Sequence, residues 1–352
     1  AVDELHAHKP RAVYDVLETA IGKRSQPMLG TITTAGNDRT GICYEVRDYL
    51  LKVLEQTFDD ESFFGIVYTI DDEDDWRDEG VWPKANPNLG VSVNLETLRD
   101  LAKKAERTPA AQSNFKRKHL DVWVGANAAL FNLEDWKACA DPTLTEEQFA
   151  GEEAIAAVDL ATRDDLAPRV TAFRRLVDGV AHYYLFARGY ISQEAVDDSR
   201  NASYPGWATT GWLRVNEGNA VDMARIEDEI IEDASRFQLR EVVVDPWQAM
   251  QLGQQLMARG ATVVELPMNT KNLSEATKEL GALMKQRRVH HCGDPVFAWC
   301  IGNVVGHYDA KENVYPRKER AENKIDEAVA AIMALSRWLT AEPPEPSVLE
   351  TE

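Results

Sequence analysis

Residues 154–340 are predicted to form a mixed α/β domain, a sheet flanked by helices, preceded by the C-terminal remnant of a second α/β domain. Three features predict it: consecutive β-prone runs after Gly151, a later strand–helix–strand alternation, and aspartates closing two apolar strands. The first strand spans 155–160, and runs at 170–176 and 182–187 follow as adjacent antiparallel strands. A helix-period stretch at 221–237 leads to the fully apolar strand 242–244, a helix at 247–259 and a strand at 262–266. That alternation reads as a βαβ unit with parallel strands. Helices at 273–288 and 324–338 close the domain. Pro168 falls where the second strand begins, a position at which proline is tolerated.

This element order is that of an RNase H-like domain, and fold alone does not give function. Before it, residues 1–124 read as a mixed region with a helix at 11–21, a β-prone run at 28–34 and an amphipathic helix at 95–107 stopped by Pro109. Residues 125–153, with short apolar patches and Asp141-Pro142, read as the connection between domains, and 341–352 as an acidic tail.

The 352 residues carry a formal charge of -20, which excludes a protein whose whole surface grips nucleic acid, since phosphate binding is driven by Lys and Arg. Any DNA contact must be local. No apolar run approaches the roughly 20 residues that span a bilayer, and the start lacks a secretory layout, so the chain reads as cytosolic. Cys43, Cys139, Cys292 and Cys300 have no paired spacing. The run His290, His291, Cys292 cannot converge on one ion with Cys300, because strand neighbours point to opposite faces.

Asp159 closes the strand Ile-Ala-Ala-Val, Asp245 closes Val-Val-Val, and Asp326 lies on the last helix beside Ile325, Val329 and Ile332. Open α/β sheets place their sites at the carboxyl ends of strands, so three carboxylates can converge. Such a set, without Cys or His, suits hard ions such as Mg2+ or Mn2+. Two ions about 4 Å apart would serve phosphodiester hydrolysis with no protein nucleophile. Taken singly, each aspartate also reads as a turn former or helix cap. Asp164 or Asp165 is a candidate fourth acid, with a loop turn as the alternative. Lys318, Arg320 and Lys324, and Lys285, Arg287 and Arg288, are candidate phosphate contacts or solvated surface.

Val2-Asp3-Glu4 has the form of a Walker B strand end, where the aspartate helps hold nucleotide-bound magnesium and the glutamate orients water. The phosphate-cradling GxxxxGK[ST] loop is absent from the sequence, so ATP hydrolysis is not expected of this chain.

The run AVDELHAH at 1–8 and TITTAGN at 31–37 resemble the Walker B and coupling motifs of tailed-phage large terminase subunits. WPKANPNLG at 82–90, NFKRKHLDVWV at 114–124, and residues 157–166, 243–247 and 323–335 resemble that family as well, so the likeness covers nearly the whole chain. It is closest to the HK97-like group, with the ATPase domain truncated. The resemblance implies a motor that pumps double-stranded DNA into a procapsid with ATP, and a nuclease domain that cuts concatemers. It implies Asp159, Asp245 and Asp326 as the metal ligands of the nuclease, beside the candidate Asp165 and the two Mg2+ or Mn2+ ions that the residues themselves suggest. Asp3 and Glu4 become the Walker B pair, and Thr33 and Thr34 part of the coupling segment running to Gly36. Implied partners are DNA, the portal protein and the small terminase subunit, in the host cytoplasm and transiently at the portal. The intact protein is expected to form a ring, and this chain a monomer.

Two rivals share these features. A transposase or resolvase would have the same fold and acidic site, but would carry an added DNA-binding module, and no zinc-binding or helix-turn-helix pattern stands in the front half. A docking module for portal or capsid proteins would bind normally after loss of any one carboxylate.

Overall fold

The computed structural model describes residues 1–340 except 9–10, 21, 23–24, 40, 125–128, 161–165, 200, 202, 248–249, 310 and 321. Asp164, Asp165 and the tail at 341–352 therefore lie outside the described residues. The chain divides into two compact units. One is Ala1–Leu130 with Ser199–Ser203 and Glu319–Asn323, and the other is Phe131–Asp198, Tyr204–Lys318 and Lys324–Glu352.

In the first unit, β1 (Val2–Asp3) pairs in parallel with β2 (Thr31–Ile32), so the β-prone run at 28–34 yields only two ladder residues. Around them lie α1 (Arg11–Ala20) and α2 (Ile42–Leu54), which bury Tyr14, Ile42 and Cys43 against Val2 and Leu5. A second cluster is built by α3 (Trp82–Ala85), α4 (Leu95–Ala105) and α5 (Pro109–His119) around Trp76, Trp82, Leu98 and Phe115. The side chain of Asn94 caps α4 by accepting from the Glu96 and Thr97 amides. Pro109 follows the end of α4 and opens α5, where its missing N–H costs nothing. The WPKANPNLG segment is a packing device: Trp82 is buried and its indole donates to the Trp76 carbonyl, while Asn86 donates to the His119 carbonyl at 2.7 Å.

The second unit begins with α6 (Leu133–Lys137) and builds one mixed sheet from β3 (Glu153–Val158), β4 (Ala167–Val177), β5 (Val180–Ser192), β6 (Leu213–Asn216), β7 (Gln238–Val244), β8 (Val263–Glu265) and β9 (Val289–His290). The order across it is β6-β5-β4-β3-β7-β8, with β9 also paired to β5. β3, β4 and β5 are antiparallel neighbours, and β3, β7 and β8 are parallel, as the alternation predicts. β4 and β5 are longer than the sequence suggested because Asp178-Gly179, both at positive φ, closes them as a hairpin. β4 starts at Ala167, one residue before Pro168.

The short α7 (Gln193–Asp197) and α8 (Tyr204–Thr209) link β5 to β6. α9 (Met223–Arg236) and α10 (Met250–Ala258) cover one face of the sheet, bringing Ile226, Ile230, Leu252 and Leu256 onto Val158, Val242 and Val244. α11 (Thr270–Lys285), α12 (Pro295–Asn303) and α13 (Asp326–Thr340) form the other layer, with α13 packed on β3, β4 and β5. Covered on both faces, β3 is buried from Ala154 to Val158, which is why it reads as a continuous apolar run. Between α12 and α13, β10 (Val304–Tyr308) and β11 (Val314–Lys318) form a separate two-stranded ribbon.

Candidate active site

Strand alternation decides which way the aspartates point. Val158, Val242 and Val244 face α9 and α10, so Ile155, Ala157 and Val243 face the α13 layer, and the same alternation carries Asp159 and Asp245 to that side. Val158 pairs with Val244, so the two aspartates leave adjacent parallel strands at the same level. Asp159 keeps the ladder one step further, its amide donating to the Pro168 carbonyl at 3.2 Å. Asp245 is 7% exposed, and its Oδ1 accepts from the Trp247 amide at 3.3 Å.

α13 runs antiparallel to β3, which brings its first residue, Asp326, to the same end. Near its C-terminus the Trp338 indole donates to the Ala172 carbonyl and Arg337 pairs with Glu241, both level with Ile155 at the start of β3. At its N-terminus Glu327 Oε1 lies 2.9 Å from where a Cβ on Gly189 would stand, and Gly189 pairs with Pro168 beside Asp159. All three predicted carboxylates thus share one end of the sheet. Among the described residues no group of three His, Cys, Asp or Glu side chains stands in metal-holding geometry, so what converges is the positions, not a closed ligand sphere. The donor chemistry nonetheless fits hard divalent ions: every candidate ligand is a carboxylate oxygen.

Two neighbours were not foreseen. Tyr315 on β11 has its hydroxyl 3.5 Å from the Met268 carbonyl, just past the end of β8, and its pKa is raised by burial, then by Asp159 and Asp245. Glu327 is fully buried, and neither carboxylate oxygen has a hydrogen-bond partner. Its pKa is pushed well above the carboxylate range by burial, then by Asp294 and Asp326. Nothing in the sequence announces Tyr315, which arrives from a distant ribbon. The acidic pair at the head of an otherwise apolar helix was the available signal for Glu327.

In the first unit, Asp3 and Glu4 stand at the end of β1 and Thr33 and Thr34 just past the end of β2. His6 ties them: its Nδ1 lies 3.0 Å from both Glu4 Oε2 and Thr33 Oγ1, and its amide donates to Thr33 Oγ1. Thr33 Oγ1 in turn donates to the Thr34 carbonyl.

The basic candidates divide. Arg287 bonds the Asp135 carbonyl, Arg288 the Ala181 carbonyl, and Arg320 pairs with Asp38 at 2.6 Å, whereas Lys285 and Lys318 are exposed. His290 and His291 do point apart: His290 meets His182 at 2.8 Å, and His291 is buried against the Trp136 carbonyl.

A family model described as the endonuclease domain of the terminase large subunit matches residues 57–342. The chain belongs to the terminase large subunit family. It is 39% identical over 351 residues to protein YmfN of Escherichia coli (strain K12), covering 97% of this chain and 77% of that protein. It is 27% identical over 328 residues to the terminase large subunit of Enterobacteria phage HK97, covering 91% of this chain and 62% of the phage protein. The crystal structure of the HK97 bacteriophage large terminase superposes with a TM-score of 0.53 at 25% identity, covering 95% of this chain and 69% of that one. The terminase assignment places the chain with the HK97-like phages and accounts for the RNase H-like sheet. As a terminase-family nuclease domain it has no helix, among the described residues, long and apolar enough to cross a membrane.

Proposed function

We propose that this chain is a metal-dependent endodeoxyribonuclease that cuts concatemeric double-stranded DNA during genome packaging. The observation that carries the reading is the placement of Asp159 and Asp245 at the ends of adjacent parallel strands, with α13 delivering Asp326 to the same end. Two Mg2+ or Mn2+ ions held there would lower the pKa of an attacking water and neutralise the leaving oxygen in an in-line displacement. Asp159, Asp245 and Asp326 would be the ligands, with Asp165 as a fourth candidate outside the described residues. The Trp247 amide fixes one oxygen of Asp245 and leaves the other to bind. Tyr315 stands near Asp159 and Asp245, its hydroxyl donating to the Met268 carbonyl.

The reading would extend to a longer form with the length of the relatives. There Asp3 and Glu4 would serve the nucleotide site, and the Glu4–His6–Thr33 contacts would relay its state through Thr33 and Thr34 to DNA translocation. The portal protein and the small terminase subunit are the proposed partners, at the procapsid in the host cytoplasm.

The test is incubation of the purified chain with supercoiled plasmid and Mn2+, Mg2+ or EDTA, beside Asp245→Ala. Cutting that needs metal and disappears in the variant is expected, together with a metal-induced rise in the thermal midpoint that the variant lacks. Absence of cutting with either metal overturns the nuclease reading, and cutting that survives Asp245→Ala overturns the site.

A further inference from the structure

We propose that Trp247 is a DNA-positioning residue of this site, its indole stacking on a base that is unstacked from the duplex beside the phosphodiester to be cut. The inference rests on the nuclease reading and adds to it a residue outside the carboxylate set. Trp247 is 89% exposed, while the other eight tryptophans of the chain are buried or half-buried. A tryptophan carries one of the largest apolar surfaces of any side chain, so leaving nearly all of it in water is the least economical placement available to it.

Pro246 restricts the backbone between Asp245 and Trp247, and the Trp247 amide donates to Asp245 Oδ1, so the indole is carried on the same turn that sets a candidate metal ligand. No aromatic stacking or cation–π contact within the described residues holds the ring. Met250, three residues on, is 62% exposed and extends the apolar surface.

Location selects the occupant. A protein partner laid over Trp247 would also lie over Asp245 and close the carboxylate end of the sheet, whereas a nucleic acid must come there for its phosphate to be cut. Aromatic faces stack on an unstacked base of any sequence, so the contact needs no reading of base edges. Stacking also supplies affinity without cations, in keeping with an acidic chain.

The experiment compares wild type, Trp247→Ala, Trp247→Phe and Asp245→Ala by cleavage kinetics on a DNA duplex, and follows tryptophan emission as the duplex is added in EDTA. Trp247→Ala is expected to raise KM about tenfold, the size of a lost stack, with kcat little changed. Trp247→Phe is expected to keep most of the affinity and to lose the emission quench seen in wild type. Wild-type KM in Trp247→Ala, or a defect confined to kcat, overturns the role of Trp247. If Asp245→Ala is inactive in that same series, the nuclease reading stands without it. A wild-type chain that neither quenches nor cuts removes both.

Discussion

Asp121 lies in the DVW stretch of the resemblance and sits at φ 54, in the left-handed region that Asp and Asn tolerate better than most residues. Its Oδ1 accepts from the Ala35 amide, so it fastens the end of the segment that carries Thr33 and Thr34. Burial pushes its pKa up to about 6, against the pull of the Ala35 amide and helped by Glu4. A carboxyl group whose pKa is raised by folding favours the fold while protonated. Its contribution is therefore complete below the unfolded value and is lost as the pH rises through about 6. Asp121→Asn keeps both the acceptor and the backbone preference while removing the charge. It should match wild type near pH 4 and be more stable by about 1 kcal/mol at pH 7.5, after allowance for solvent screening. Thermal melts of both proteins at the two pH values check this, and an equal difference at both would contradict it.

At the scale of elements, α9 is held to the sheet by a buried pair as well as by its apolar stripe. Arg169 on β4 is 1% exposed and bonds Asp233 of α9, itself 1% exposed. Burial raises the Asp233 pKa, opposed by Arg169, Arg188 and Arg236. Arg169→Met leaves Asp233 short of its main partner and should destabilise the domain by about 3 kcal/mol, whereas Arg169→Met with Asp233→Leu should recover most of that loss. Urea unfolding of the single and double variants distinguishes these, and an equal loss in both would show that the charges themselves are needed.

The elements also show what a sequence can and cannot carry. The β7–α10–β8 alternation and the aspartates at the ends of β3 and β7 were legible because a strand covered on both faces must be apolar to its end and then turn. The β10–β11 ribbon is not legible in the sequence, because Gly306 and Pro316 argue against strands that a two-stranded ribbon can accommodate. Glu327 stands where helix acids are usually solvated, and only the packing of α12 and Gly189 around it makes it a core residue. The helical pattern opens at residue 247, yet the described helix starts at Met250 and leaves Trp247 on the turn.

Taken whole, the molecule has 59 acidic side chains against 39 Lys and Arg, and a protein this acidic repels the polyanion it is proposed to cut. Many of the cations are already engaged: Arg169, Arg175, Arg188, Arg225, Arg236 and Arg337 all stand in ion pairs. Binding must then depend on few phosphate contacts and on contacts that release no counterions, such as the proposed Trp247 stack. Each phosphate neutralised adds about 0.9 to the magnitude of the slope of log K against log salt for duplex DNA. Two to four contacts would give a slope of about −2 to −4. Titration of a labelled duplex in EDTA from low to moderate NaCl measures it, and Trp247→Ala should weaken binding at every salt concentration without altering the slope. A slope near −10 would mean that a broad basic surface does the binding, in conflict with the charge of the chain and with the assignment of affinity to the turn beside Asp245.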